Sequence, residues 1–350
     1  MSDIDNQSTK GRTLKAKIRK NVLFLLKIAF AAAIIWWLVS SNYGQFADTL
    51  KDFNYWFLLP AGVVYASHMF VCAWRWYALA KIIQVKLPFL EALSLTMQAY
   101  FCSLVIPGGA IGGDVARLAA VTMRAPHGAK AEGAFTILMD RIIGMVALFV
   151  LAILLILMTL PVLMKVNIPI PGVETTDTVR IIGIIALLGL CLSGLISMLI
   201  LFFHKQLRKI TWIDSLMNWG DCKTHGMVFR LTDAIDRYRV AWKQLTVLTI
   251  VSVFFVHIAT VVAVMFIILG VGVRNFSLLD VLTAVTIGNI AGLIPLSLSG
   301  IGLRDITICE ILKASDFQDN AVIPVLYTLM ILFFNMLGGL FFVIDPGARR

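Results

Sequence analysis

Charge is scarce in this chain. Asp, Glu, Lys and Arg make up only 14% of its 350 residues and 59% are hydrophobic, where soluble domains carry about a quarter charged residues. The mean hydropathy is +0.89. A water-soluble globular domain is excluded by that balance. Several chemistries are missing as well. The sequence has no Gly-Lys-Ser/Thr phosphate loop, no His-Glu-x-x-His, no Gly-x-Ser-x-Gly elbow and no metal-spaced His/Cys cluster, so neither a metal nor another cofactor is expected. Cysteine is sparse: Cys72, Cys102, Cys191, Cys222 and Cys309 form an odd set without short spacings, which argues against a disulfide framework or a zinc site. No polar stretch is long enough for a soluble catalytic domain, so enzymatic activity is not expected.

What is present is a series of apolar runs near the ~20 residues that span a bilayer. They lie at 22–41, 55–73, 140–160, 181–203, 246–270 and 321–344. Lipid offers no partner for unpaired backbone groups, so the spans are expected to be helices and the fold all-α. The basic segment 1–21 precedes the first run, which lacks a small-x-small cleavage site and carries Trp36-Trp37. It reads as a retained span with a cytoplasmic N-terminus. Residues 42–54, with Phe46, Leu50 and Phe53 at helical spacing, read as a short surface helix. The second span is expected to end at Trp74-Arg75-Trp76-Tyr77, an aromatic belt with one basic residue. His68 inside it reads as a packed histidine bonded to nearby backbone.

Two further apolar runs do not continue as helices. Residues 89–106 break into Ile106-Pro107-Gly108-Gly109-Ala110-Ile111-Gly112-Gly113-Asp114-Val115-Ala116-Arg117. Four glycines and a proline within seven residues stop a helix. The plan returns at Leu278, whose run leads into Ile294-Pro295-Leu296-Ser297-Leu298-Ser299-Gly300-Ile301-Gly302-Leu303-Arg304-Asp305. Even the entrances agree, Phe89-Leu90-Glu91-Ala92-Leu93 against Leu278-Leu279-Asp280-Val281-Leu282. These read as two copies of one broken membrane element.

Topology follows from the basic residues. If 89–106 crossed the membrane, the loop 204–245, with Lys205, Arg208, Lys209, Lys223, Arg230, Arg237, Arg239 and Lys243, would face outward. That violates the positive-inside bias. If 89–123 instead enters from the cytoplasm and returns, and 278–313 does the same from outside, nearly every Lys and Arg lies inside. Only Lys51, Lys165, Arg180, Arg274 and Lys313 fall outside, with Arg304 within the second hairpin. The net charge of +10 then belongs to membrane topology rather than to nucleic acid. The expected architecture is an all-α polytopic membrane protein. It has six transmembrane helices and two oppositely oriented re-entrant hairpins, an inverted repeat within one domain, 22–344, followed by a cytoplasmic tail, 345–350. In the loop, Val228, Leu231, Ile235, Tyr238 and Trp242 mark one apolar face of an interfacial helix.

Ionisable residues at membrane depth cost roughly 2.5–3.5 kcal/mol each and need a reason. Gly108, Gly109, Gly112 and Gly113 permit the turn and close backbone approach; Asp114 can cap the returning half-helix. That half-helix N-terminus suits a phosphate, with Arg117 as a two-pronged clamp. Asp140-Arg141 opens a span, either resting in the interface or pairing with the first hairpin. Ser299, Gly300 and Gly302 precede Arg304-Asp305. Superposing Pro107 on Pro295 puts Gly112 on Gly300 and Arg117 on Asp305, so that the last two are expected to pair across the midplane.

Pro107-Gly-Gly-x-x-Gly-Gly-Asp114-x-x-Arg117, Asp140-Arg141-x-x-Gly144 and Ser299-Gly300-x-Gly302-x-Arg304-Asp305, in that order, resemble the flippase-like, or lysylphosphatidylglycerol synthase transmembrane, family. That family includes the membrane half of the multiple peptide resistance factor. The likeness covers most of the chain; the family often has glutamate where Asp305 stands. It implies translocation of a lipid and not aminoacylation, because the transferase domain of two-part relatives has no counterpart here. The expected partner is a membrane phospholipid or polyprenyl lipid with an anionic headgroup, in the cell membrane. A second copy of the chain or a separately encoded lipid-modifying enzyme are the protein partners considered. Without an ATP site, movement would run downhill or on an ion gradient. A polyprenyl-phosphate or phospholipid transferase and a membrane scaffold are the competing readings. The transferase is disfavoured because only Asp48/Asp52 and Glu174/Asp177 offer acidic pairs in the outer loops.

Overall fold

Every regular element is helical in the computed structural model, which describes residues 36, 50–106, 110–124, 130–167, 174–224, 227–294, 302–317 and 321–344. All of the expected span 22–41 but Trp36, most of the surface helix 42–54, and Gly108, Gly109, Ser299 and Gly300 lie outside the described residues. Among the described residues, five helices are long and apolar enough to cross a membrane: Tyr55–Ile82, Glu132–Met158, Asp177–Phe202, Trp242–Val271 and Val322–Leu340.

The first described span, α1 (Leu58–Ile82), is entered through a one-turn 3-10 helix, where the Asn54 side chain accepts from the Trp56 amide at 3.2 Å. Its 25 residues reach about 37 Å, more than the ~30 Å hydrocarbon layer needs. It does not stop at the expected aromatic belt. Arg75, Trp76, Leu79 and Ala80 are all buried, and only then does Gln84, at φ 61°, turn the chain back, with the Val85 amide donating to the Ala80 carbonyl.

The broken element follows as α2 (Phe89–Val105) and α3 (Ala110–Arg124), which pack against each other. Contact this close requires Gly113, because a Cβ there would sit 2.5 Å from the Ala99 carbonyl oxygen. The long α4 (Lys130–Met158) packs on both α3 and α1. Outside it lies α5 (Asp177–Phe202), capped by Thr176. Only Cys191 of α5 is buried, while Ile182, Ile185, Leu192, Ile196 and Leu199 point outward. A helix apolar all round but barely covered by protein is what a lipid-facing span looks like.

Two helices of the basic loop come next, α6 (Thr211–Lys223) and α7 (Met227–Val240). Ile235 and Tyr238 of α7 are buried, and the Tyr238 hydroxyl donates to the Leu79 carbonyl at 3.2 Å, which seats α7 on the end of α1. Trp242, expected on the same face, is instead exposed, because the chain breaks after Val240 and Trp242 starts the next helix. That helix, α8 (Trp242–Val271), carries a widened π stretch at Val253–Ile258.

The second broken element is α9 (Leu278–Ala291) with α10 (Leu303–Ala314), again packed on one another, and α11 (Val322–Leu337) closes the set. Gly288 plays the part Gly113 plays in the first: a Cβ there would meet Ile308 Cγ1 at 2.6 Å. The largest apolar cluster joins α1, α8, α9, α10 and α11 through Tyr65, Val264, Ile268, Val285, Ile308 and Tyr327. Helix association through small residues and tight packing is the expected substitute for a hydrophobic effect inside lipid.

Candidate functional site

Asp140 and Arg141 are neighbours on α4, so their side chains leave the helix about 100° apart and reach different partners. Asp140 is 3% exposed and turns inward. Its Oδ1 accepts from Arg75 Nε at 2.7 Å and its Oδ2 from Arg117 Nη1 at 3.2 Å. Arg141 turns toward the opening and grips Asp114 with two bonds, at 2.6 and 2.7 Å. The two motifs are therefore one network. Asp114 sits one helical turn before Arg117 on α3, and each pairs with one member of the Asp140-Arg141 doublet.

Each guanidinium is held on more than one side. Arg117 also donates from Nη2 to Thr96 Oγ1 at 2.9 Å and lies over the Trp76 ring at 4.1 Å. Trp76 in turn donates from Nε1 to Thr136 Oγ1 at 2.9 Å. Arg75 donates to Ser252 Oγ at 3.0 Å, just before the π stretch. Gly144, one turn beyond Asp140, leaves room for it: a Cβ at 144 would stand 3.3 Å from Arg75 Nη1. The Gly144 carbonyl accepts from His257 Nε2 at 3.1 Å. His257 lies within the π stretch, a helix irregularity frequent at functional sites.

In the second element, Gly302 takes φ 101°, a left-handed conformation that favours glycine, and α10 starts from it. Asp305 Oδ2 accepts from the Gly302 amide at 3.1 Å. Its Oδ1 accepts from Arg304 Nε at 3.0 Å and from the Thr328 hydroxyl at 2.8 Å. Thr328 also accepts from Arg304 Nη2, and the guanidinium lies over Tyr327 at 4.9 Å. Asp305 is wholly buried and already saturated. The expected pairing of Arg117 with Asp305 is therefore wrong. Arg117 pairs with Asp140, and Asp305 with its own neighbour Arg304.

Between the two elements lies a cavity of about 530 Å³. Its wall takes Arg75, Arg117, Arg141, Asp114 and Asp140 from one side and Asn289, Arg304, Tyr327 and Asn335 from the other, with Tyr65, His68 and His257 between. Among the described residues, four arginines, Arg75, Arg117, Arg141 and Arg304, meet three aspartates, Asp114, Asp140 and Asp305, which leaves one positive charge uncompensated. Three buried polar atoms of cavity-lining residues have no hydrogen-bond partner among the described residues: Arg117 Nε, His68 Nδ1 and Asn335 Oδ1. His68 is thus not bonded to backbone as expected; its Nε2 lies 3.7 Å from Cys72 Sγ. Among the described residues no group of three His, Cys, Asp or Glu side chains is placed to hold a metal ion.

Residues 24–340 match the family described as the lysylphosphatidylglycerol synthase TM region. The chain belongs to that family. No curated protein and no solved structure matches it. The family region takes in both broken elements, α4 and the whole wall of the cavity. Membership places the chain among multi-pass membrane proteins with a lipid-related role.

Arg75 lines the cavity although its sequence context reads as a membrane-edge belt, and Thr96, Trp76, Ser252 and Thr328 join the network without a sequence signal of their own. The signal for Arg75 was available: an arginine inside a longer apolar helix is expensive unless paired. It was hidden by ending the span two residues before it.

Proposed function

We propose that the protein is a lipid translocase that moves a phospholipid or polyprenyl lipid between leaflets of the cell membrane, with both termini cytoplasmic. In this reading α2–α3 is a re-entrant hairpin entering from the cytoplasm and α9–α10 its inverted counterpart entering from outside. Broken helices meeting near the midplane are how many transporters bring polar groups to membrane depth. The headgroup crosses through the cavity between the hairpins while the acyl tails stay in the bilayer.

One observation carries the reading: a cavity with a net positive charge and unpartnered buried polar atoms, walled by both broken elements, in a chain whose outer helices are apolar. Uncompensated charge at that depth calls for a counter-ion from outside the protein, and an anionic headgroup supplies one. Arg117 is the principal contact, because its Nε is left free while its Nη atoms are bound.

The test is reconstitution of the purified chain into vesicles with headgroup-labelled fluorescent lipids, followed by chemical bleaching of the outer leaflet. The expected result is protein-dependent access to inner-leaflet label, faster for anionic than for zwitterionic headgroups. Exchange no faster than in protein-free vesicles refutes the reading, and conversion of the lipid to a new product replaces it with a transferase.

A further inference from the structure

His68 projects from the middle of α1, one turn before Cys72 and two before Arg75, into the cavity. It is 9% exposed, its ring packs 5.1 Å from Tyr65, and Nε2 is turned to the Cys72 sulfur. In the tautomer with the proton on Nε2, Nδ1 offers a lone pair that no group among the described residues meets. A polar atom buried without a partner is costly, so its retention in an apolar span points to something that visits it.

Around His68 stand Tyr65, Cys72 and Arg75 on its own helix, Tyr100 on α2, Asp140 on α4 and His257 on the π stretch. Arg117, Arg304 and Tyr327 line the cavity beyond them. Asp114 and Asp140 are both held by guanidinium groups. Histidine is the side-chain type that ordinarily changes charge near neutral pH. Both histidines turn Nε2 to a neighbour, His257 to the Gly144 carbonyl and His68 to Cys72, and of the two only His68 has a buried Nδ1 without a partner among the described residues.

We propose that His68 is a proton-binding site coupled to headgroup occupancy, so that the protein moves an anionic headgroup together with a proton. This rests on the translocase reading and adds its energy coupling. An anionic headgroup in the cavity attracts a positive charge on His68, so that headgroup and proton bind together more readily than either alone. Linkage makes the effect reciprocal: a proton on His68 strengthens headgroup binding by the factor by which the headgroup strengthens proton binding. The proton comes from water onto the Nδ1 lone pair and returns to water when the headgroup leaves; nothing is oxidised or reduced.

The test uses the full chain in detergent with short-chain phosphatidylglycerol, whose phosphodiester stays singly ionised near neutral pH, so that any proton taken up belongs to the protein. Binding is followed in weakly buffered solution with a pH indicator. The expected result is proton uptake on binding and an affinity that rises at least about fivefold from about pH 8 to about pH 5.5. His68→Gln removes both the uptake and the pH dependence; His257→Gln keeps them. Should His68→Gln lose its monodisperse elution, wild-type protein labelled with 13C-histidine serves instead: at a fixed pH near neutral, adding lipid moves the His68 resonance toward its protonated form. Lipid binding without proton uptake, uptake that persists in His68→Gln, or uptake lost only in His257→Gln overturns the proposal and leaves the translocase reading standing. No binding of the lipid at any pH overturns both.

Discussion

Asp140→Asn is the most informative single change. The substitution keeps shape and removes one charge that two buried guanidinium groups share, at 2.7 Å from Arg75 and 3.2 Å from Arg117. Removing one partner of a buried pair typically costs about 3–5 kcal/mol, because the remaining charge is stranded. Here two charges are stranded, but they border a cavity that water can enter, so the lower end, about 3 kcal/mol, is expected. Asp114→Asn is the internal control. Its partner Arg141 is 44% exposed, and an ion pair in such a setting is worth about 0–1 kcal/mol. The two variants therefore differ by about 2–3 kcal/mol although each deletes one aspartate charge from the same network. Thermal unfolding in detergent, followed by tryptophan fluorescence with monodispersity as a check, reads the difference. Adding Arg75→Gln to Asp140→Asn recovers part of the loss, since one stranded charge goes with it. If Asp140→Asn is as stable as Asp114→Asn, the buried network does not hold α1, α3 and α4 together and the reasoning fails.

Arg117→Lys keeps the charge but loses the planar fork that spans Asp140 and Thr96 and the stack on Trp76; leaflet exchange falls by about tenfold or more while the protein elutes normally. The charge swap Arg117→Asp with Asp305→Arg does not restore exchange, because each residue pairs with a different neighbour; recovery would mean that the two do meet during transport. Gly113→Ala drives a methyl group into the Ala99 carbonyl and lowers folded yield, with a cost of about 1–3 kcal/mol read as a drop in the unfolding midpoint. For topology, Ala120→Cys and His225→Cys on a cysteine-free background react with a membrane-impermeant thiol reagent from the cytoplasmic side and Glu174→Cys from the other; outside labelling at 225 refutes the assigned orientation.

Much of the helix order was legible because apolar runs are long-range averages that survive local irregularity. What the averages hid were the ends. The run 55–73 reads as complete at Ala73 because Trp74-Arg75-Trp76-Tyr77 has the composition of a membrane-edge belt. In the structure α1 continues to Ile82. Hydropathy sums over all faces of a helix and cannot show that Arg75 and Trp76, about 100° apart on α1, both meet partners inside the protein, Asp140 and Ser252 for Arg75 and Thr136 and Arg117 for Trp76. The same blindness shortened α4, whose first turns carry Lys130 and Glu132 and whose Glu132 reaches Arg237 of α7 at 3.1 Å.

The site was legible as a set of expensive residues but not as a set of pairs. Glycine breaks, Asp114, Arg117, Asp140, Arg141, Arg304 and Asp305 stand out in sequence because lipid makes them costly. Their partners do not, since contact follows from packing: Arg75 and Ser252 meet across 177 positions of sequence. Repeat symmetry misled at one point for a physical reason. Aligning Pro107 with Pro295 tells which positions correspond, and corresponding positions in two elements need not touch. Asp305 is spent on its own helix start, on Arg304 and on Thr328. With Asp305 held by Arg304, the cluster around Asp140 sets three guanidinium groups, Arg75, Arg117 and Arg141, against two carboxylates, Asp114 and Asp140, so the surplus charge lies on that side of the cavity. Pairing leaves the total of one positive charge unchanged but decides where it lies: beside Asp140, on the side of the first broken element, where the proposed path needs an anion from outside the protein.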